Sequence, residues 1–309
     1  MRSSRVSGYV FTVIAATCWG LLGPVARVAF AEGVSALEVA FWRAALGGGL
    51  FAVHVLALAY GRRIAPSGAH RRLQIHRADM PAIVAFGVIG VALFYGAYQL
   101  AVQAGGAALA SVLLYTAPAW VAGMGAAFLN EPLTRRKQVA VALTLGGVAA
   151  IALGGTAGVT LTVLGIAWGL TSGLVYASYY PFGIYYFERY VPAAVFAVAL
   201  PVGAVLLAPW IAFTTKSAAA WTALIAIAVV STYGAYLAYG AALQRLPASR
   251  ASIVATLEPV VAAVAAGIWW DEDLGLWGYA GALLIVAAGV ITAREGEQNS
   301  DGKRTEPEM

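Results

Sequence analysis

Apolar residues in this chain come in long unbroken runs separated by short polar breaks. Ten runs stand out, at about 8–26, 37–60, 80–102, 106–129, 136–155, 162–187, 191–213, 219–243, 248–270 and 275–293. A helix that crosses a bilayer needs about 20 mainly apolar residues, and these runs have that length. The pattern predicts ten transmembrane helices and an all-α integral membrane protein. A membrane β-barrel would alternate polar and apolar residues over about ten positions. Here the runs are continuous and rich in Ala, Gly, Leu and Val. Most connections are too short to hold a soluble domain. The longest, about 61–79, carries Arg62, Arg63, His70, Arg71, Arg72, His76 and Arg77. The first run follows Arg2 and Arg5 with no convincing cleavage site after it, so it reads as a retained signal-anchor helix. The polar stretch 294–309 reads as a disordered cytoplasmic tail.

Composition excludes the main alternatives. Hydrophobic residues make up 61% of the 309 and charged residues only 11%, against about 25% charged in an ordinary soluble domain. With a mean hydropathy of +0.80, a soluble enzyme, a nucleic-acid binder and a disordered chain are ruled out. The net charge of +5 reports orientation instead. With the N-terminus in the cytoplasm, ten spans place 16 of the 19 Lys and Arg residues inside, as the positive-inside rule requires. Both termini are then cytoplasmic, and Lys216 and the turn Asp271-Glu272-Asp273 lie outside. A lone cysteine, Cys18, and three scattered histidines give no metal-ligand cluster. No phosphate loop, nucleotide fingerprint or catalytic triad spacing occurs. No metal, cofactor or enzymatic activity is expected.

The two halves of the chain repeat. At a constant offset of 141, Tyr95, Tyr98, Gln103, Ser111, Pro118 and Glu131 match Tyr236, Tyr239, Gln244, Ser252, Pro259 and Glu272. At an offset of 149, Trp19-Gly20-Leu21 matches Trp168-Gly169-Leu170. The long basic connection of the first half absorbs the difference. Each half holds five spans, an odd number, so the second must enter the membrane from the opposite side. The reading is two inverted-topology five-helix repeats, 1–155 and 156–293. Such repeats place a ligand site near the bilayer midplane, between the halves, and alternate its access by rocking.

Several residues carry a family resemblance: Trp19-Gly20, Arg43, Ala117-Pro118, Asn130-Glu131-Pro132-Leu133, Gln138, Leu257-Glu258-Pro259-Val260 and Glu272. With these the chain resembles the drug/metabolite transporter superfamily in its ten-span EamA-like branch, over nearly all of residues 8–293. Among members of that superfamily it is most similar to exporters of amino acids, aromatic ones included. The resemblance implies secondary transport across a bacterial plasma membrane, of a small-molecule substrate, by a monomer or homodimer. Exporters of drug-like organic cations or other metabolites are the alternative within the family. A multi-span membrane enzyme or a channel is the alternative outside it.

The residues themselves suggest a site. Pro118 and Pro259 fall inside the fourth and ninth runs. Each removes one backbone bond, freeing the carbonyls of Leu114 and Ala255. Freed carbonyls in a membrane need a partner or a wet cavity, so these are candidate breaks and gating points. Glu258 is an acid near a midplane, where charge costs at least about 2.5–3.5 kcal/mol. It either meets a substrate ammonium or coupling proton, or bonds locally beside the break. Tyr95, Tyr98 and Gln99 share a helix face, as do Tyr236 and Tyr239. Ser111 and Tyr115, four residues apart on one face, lead up to Pro118; Ser252 and Thr256 hold the matching places. Trp19, Trp168 and Tyr176, with Tyr179 nearby, complete an aromatic cavity with hydroxyl donors. Trp42, Trp210, Trp221, Trp269, Trp270 and Trp277 read as interface anchors. Glu131 and Glu272 read as pins for short turns. Arg43, near the outer end of the second run, either snorkels to the interface or attracts anionic groups.

Overall fold

Backbone groups in a bilayer must pair within their own segment, and the described chain is helical almost throughout. The computed structural model describes residues 2–64, 72–128, 131–154, 162–270 and 275–302. The first expected span is two helices, α1 (Arg2–Gly20) and α2 (Leu22–Ala31). Gly33, at φ +80°, turns the chain into α3 (Ala36–Ile64). There Ser35 Oγ accepts the Glu38 N–H at 3.2 Å, a capping arrangement written as Ser-x-x-Glu in the sequence. α4 (Met80–Phe86) runs into a π-helical segment, Gly87–Leu93, and on into α5 (Phe94–Leu114). After the break come α6 (Ala117–Phe128) and α7 (Arg135–Gly154).

The second half begins with α8 (Val163–Ala177), capped by Thr162, and α9 (Tyr179–Arg189). α10 (Pro192–Leu207) follows. α11 (Ala218–Ala226) leads through a second π-helical segment, Ile227–Gly234, into α12 (Ala235–Leu243). α13 (Ala248–Ala255), α14 (Glu258–Trp270) and α15 (Gly275–Gly302) complete the described chain. Among the described residues, six helical stretches are long and apolar enough to cross a membrane: Val6–Ala31, Ala36–Gly61, Met80–Ala101, Pro192–Trp210, Ala218–Leu243 and Ala248–Trp269.

Besides the division of the first run, the helices differ from the expected runs in three further places. The boundary expected near 103–105 falls inside α5, whereas its counterpart opens into the turn Gln244–Pro247. Pro247 lacks an N–H and starts a new helix, while the matching Gly106 keeps its N–H. The run at 162–187 divides at Ser178 into α8 and α9. The stretch after Arg294, expected to be disordered, continues α15 to Gly302, since no proline interrupts it.

Small residues set how closely the helices approach. A Cβ on Gly20 of α1 would sit 2.7 Å from the Glu258 carbonyl oxygen and 2.7 Å from Val261 Cβ. A Cβ on Gly173 of α8 would sit 2.6 Å from the Leu113 carbonyl oxygen and 2.7 Å from Thr116 Oγ1. Thus α1 presses on the second half's broken helix, and α8 presses on the first half's. Glycine is needed at both positions because the neighbour is backbone, which cannot move aside.

Polar contacts tie the halves at both ends. At one end, Lys216 Nζ and Glu38 form a buried ion pair, with side chains 5% and 0% exposed. Thr214 donates to the same carboxylate from its N–H (3.3 Å) and Oγ1 (3.1 Å). The ammonium also faces the rings of Trp42, Trp221 and Phe213 at 5.2, 5.7 and 6.0 Å. Trp42 and Trp221, expected as interface anchors, therefore build a cage around Lys216, whereas Trp210, Trp269 and Trp277 are exposed as anchors should be. At the other end Glu131 accepts the Ala248 N–H at 2.9 Å and the Ser249 hydroxyl, and pairs with Lys137 at 3.2 Å. Its partner is the first turn of α13, in the other half, where a carboxylate is favoured by the helix dipole. Glu272 lies outside the described residues.

Candidate functional site

The proline breaks fall where the missing N–H groups require. α5 ends at Leu114 and α13 at Ala255, the two residues whose carbonyls lose a partner to Pro118 and Pro259. In each break a threonine turns back: Thr116 Oγ1 donates to the Leu113 carbonyl at 2.6 Å, and Thr256 Oγ1 to that of Ile253. The turns deliver Tyr115 and Glu258 to the centre. The Tyr115 hydroxyl lies beside the Glu258 carboxyl, with Tyr176 and Tyr180 close by.

The two π-helical segments precede the tyrosine pairs of both halves. A π turn leaves a backbone group without its α-helical partner. In the first half the Gly90 carbonyl accepts the Tyr179 hydroxyl, drawing α9 inward. In the second half the Thr232 hydroxyl donates to the Ile227 carbonyl, five residues back, at 3.2 Å. Beyond these segments the Tyr95 and Tyr236 hydroxyls meet at 3.3 Å. Tyr236 stacks on Phe196, with centroids 4.4 Å apart and planes 7° from parallel.

Trp19 is the hub of this aromatic assembly. Its ring meets Tyr236 at 5.8 Å, Tyr176 at 6.4 Å and Tyr239 at 5.5 Å, edge-on or tilted. These are favourable quadrupole geometries. The indole Nε1 and the Tyr239 hydroxyl are buried and have no hydrogen-bond partner among the described residues.

Arg43 joins the site from α3. Its guanidinium lies 4.9 Å above the Tyr95 ring, and its Nε donates to Thr232 Oγ1 at 3.1 Å. Tyr236, Tyr179 and Glu258 are within its electrostatic reach. It forms no ion pair among the described residues. Thr232 comes this close because Gly47 has no side chain: a Cβ there would lie 2.7 Å from Thr232 Cγ2. A cation and an acid, from opposite halves, thus share one group of tyrosines.

Of the residues singled out from sequence, Trp19, Tyr95, Tyr115, Tyr176, Tyr236, Tyr239 and Glu258 come together. Tyr98 is half-buried one turn after Tyr95. Trp168 is half-buried on α8 and makes no ring contact among the described residues, unlike its repeat equivalent Trp19. Gln99 is half-buried without a hydrogen bond among the described residues. The Ser252 hydroxyl is spent on the Ser249 carbonyl of its own helix, at 2.8 Å. The side chain of Ser111 lies outside the described residues. Arg43 joins the site although its place near the outer end of the second run suggests an interfacial residue, and nothing in the sequence singles out Thr232. Arg43 could have been found as an arginine two turns inside an apolar run, where ionisable groups are functional by default. Thr232 has valine, Val91, at the matching place of the first half, so the repeat carries no signal for it.

The chain has clear relatives. The profile of the EamA-like transporter family matches it twice, over residues 6–153 and 163–294. A protein named "Uncharacterized transporter" from Archaeoglobus fulgidus is 27% identical over 291 residues, 93% of this chain and 99% of that one. A "Probable terminal-alkyne amino-acid exporter" from Streptantibioticus cattleyicolor is 28% identical over 325 residues, 98% of this chain and 99% of that one. A solved crystal structure superposes with a TM-score of 0.78 at 16% identity, covering 95% of this chain and 99% of the other; at that identity the likeness carries the fold alone. With both halves matched, the chain is a multi-pass membrane protein that belongs to the EamA-like transporter family.

Proposed function

We propose that this transporter exports amino acids, aromatic ones among them, across a bacterial plasma membrane. The substrate site is the tyrosine assembly around Trp19, with Arg43 and Glu258 at its poles. The carrying observation is the convergence of those two groups from opposite halves. A free amino acid has a carboxylate and an ammonium on adjacent atoms. A guanidinium without an ion-pair partner suits the carboxylate, and bidentate pairing is its strongest mode. The Glu258 carboxyl, the Tyr115 hydroxyl and the aromatic faces suit the ammonium. An organic cation, the other substrate class considered, would meet the like charge of Arg43. The relative from Streptantibioticus cattleyicolor named "Probable terminal-alkyne amino-acid exporter" supports the same reading.

Alternating access between inverted halves 1–155 and 156–293, ten spans in all, is the mechanism that fits this site. Three observations support it. The family profile matches each half, π-helical segments recur at matching places, and the first helix of each half presses on the other's break. Pro118 and Pro259 then act as the flexing points.

The test is counterflow in proteoliposomes that contain only this protein. Labelled phenylalanine should accumulate against unlabelled internal amino acid, which a channel cannot produce. Arg43→Gln should abolish that accumulation while expression and heat stability hold. Movement of organic cations with no competition by any amino acid would sink the reading.

A further inference from the structure

Two buried polar atoms in the site have no partner. The Trp19 side chain is 5% exposed and that of Tyr239 3%. Neither the indole N–H nor the phenol hydroxyl forms a hydrogen bond among the described residues. The two rings stand 5.5 Å apart, centroid to centroid, and their polar atoms do not bond each other. Each ring also meets others. Tyr180 meets Tyr239 at 88° and 5.6 Å, and Phe187 meets it at 87° and 6.2 Å. Tyr176 and Tyr236 stand edge-on to Trp19.

Several other polar groups in the site are engaged. Tyr95 bonds Tyr236, Tyr179 bonds Gly90, Tyr115 faces Glu258, and Arg43 bonds Thr232. An indole N–H can only donate, and a phenol donates readily. An unpaired donor shut away from water is costly, and the fold offers these two no relief. A ligand that brings an acceptor removes the cost. A hydrocarbon ligand leaves it in place.

We propose that the Trp19 N–H and the Tyr239 hydroxyl form a side-chain subsite that selects amino acids ending in a neutral hydrogen-bond acceptor. A phenol, hydroxyl or amide carried on an apolar body fits its chemistry. This rests on the amino-acid reading above and goes beyond it. Charge recognition at Arg43 and Glu258 treats all amino acids alike. The unpaired donors discriminate among them, and sites built to bond a substrate's polar group reject the analogue lacking it most strongly.

The test uses pairs that differ by one acceptor: tyrosine against phenylalanine, and threonine against valine. In proteoliposomes, the acceptor-bearing member of each pair should compete with labelled substrate at least tenfold better. Tyr239→Phe and Trp19→Phe should each shrink that preference, and together bring it to within about twofold. Competition by phenylalanine, measured in every variant, is the reference against which the preference is read. Heat stability gives an independent readout. Removing an unpaired hydroxyl in Tyr239→Phe should leave the melting temperature unchanged or raised, whereas Tyr95→Phe, which breaks a made bond, should lower it. Equal competition within both pairs in the wild type would overturn the subsite. So would a preference that survives both substitutions, or a fall in stability for Tyr239→Phe. If no amino acid competes at all, the export reading fails and this inference falls with it. If amino acids compete without discrimination, only this inference fails.

Discussion

Arg43 depends on a chain of three small facts. Gly47 leaves room for Thr232, Thr232 accepts the Arg43 Nε, and the remaining guanidinium nitrogens stay available beside Tyr95. Thr232→Val keeps the shape and removes the acceptor. A bond to a charged group contributes about 1.5–3 kcal/mol, so apparent KM should rise about tenfold or more with little change in expression. Gly47→Ala should give the same transport defect together with lower heat stability, because a Cβ placed 2.7 Å from Thr232 Cγ2 forces a shift. Flux assays and melting curves on both variants separate these outcomes; an unchanged KM in Thr232→Val would remove Thr232 from the site. Glu258→Gln tests the opposite pole. It should weaken uptake of amino acids more than it lowers stability, since an amide can still bond the Tyr115 hydroxyl. The sequence displays both charged residues, and repeat symmetry and proline position make Glu258 legible. Arg43 is harder to read because depth along a helix cannot be measured from an apolar run with frayed ends, and Thr232 is invisible because its role arises from a π turn.

At the scale of elements, breaks are the legible feature and cages are not. A proline in an apolar run announces a lost hydrogen bond, and the helices end where that bond is lost. The Lys216 cage draws on Glu38, Trp42, Phe213 and Trp221. These residues fall in two short stretches about 175 positions apart, 38–42 and 213–221, and each has an ordinary explanation as an interfacial residue. Burial makes the pair sensitive to losing one member, because the survivor is left as an uncompensated charge; the cost is about 3–5 kcal/mol. Lys216→Met and Glu38→Gln should each lower the melting temperature in detergent. The double variant should recover much of the loss, as a double-mutant cycle would show. Strictly additive losses would mean that the pair is not coupled. Glu131 is legible as a helix-end residue, yet its partner α13 is not, since the contact crosses from one half to the other.

At the scale of the molecule, hydropathy and charge bias make the membrane class and the number of apolar runs readable. The offset of 141 makes the halves readable. Which helix meets which is not readable, because Gly, Ala and Leu occur on every face. Orientation is checked by labelling. In a Cys18→Ser background, Thr215→Cys sits in the exposed loop beside Lys216 without disturbing the Ser217 cap of α11. An impermeant maleimide should label it in intact cells. Ser67→Cys, in the basic connection outside the described residues, should react only after permeabilisation. The reverse pattern would turn the whole topology over.

The π-helical segments carry a consequence for the phase of their helices. Each holds one residue more than a regular helix of that length would, and one residue is about 100° of rotation. Val88 and Val229, 40% and 43% exposed, occupy these segments at matching places. Deleting either one lets the backbone close into an unbroken α-helix with every carbonyl paired. The helix should then be locally firmer, with slower amide exchange through the former segment. Yet Tyr95 and Tyr98, or Tyr236 and Tyr239, would turn about 100° away from Trp19 and Arg43, and transport should vanish. A deletion that spares transport would show that the extra residue does not aim the tyrosines. A single surplus residue in each helix sets the rotation at which Tyr95 and Tyr236 meet.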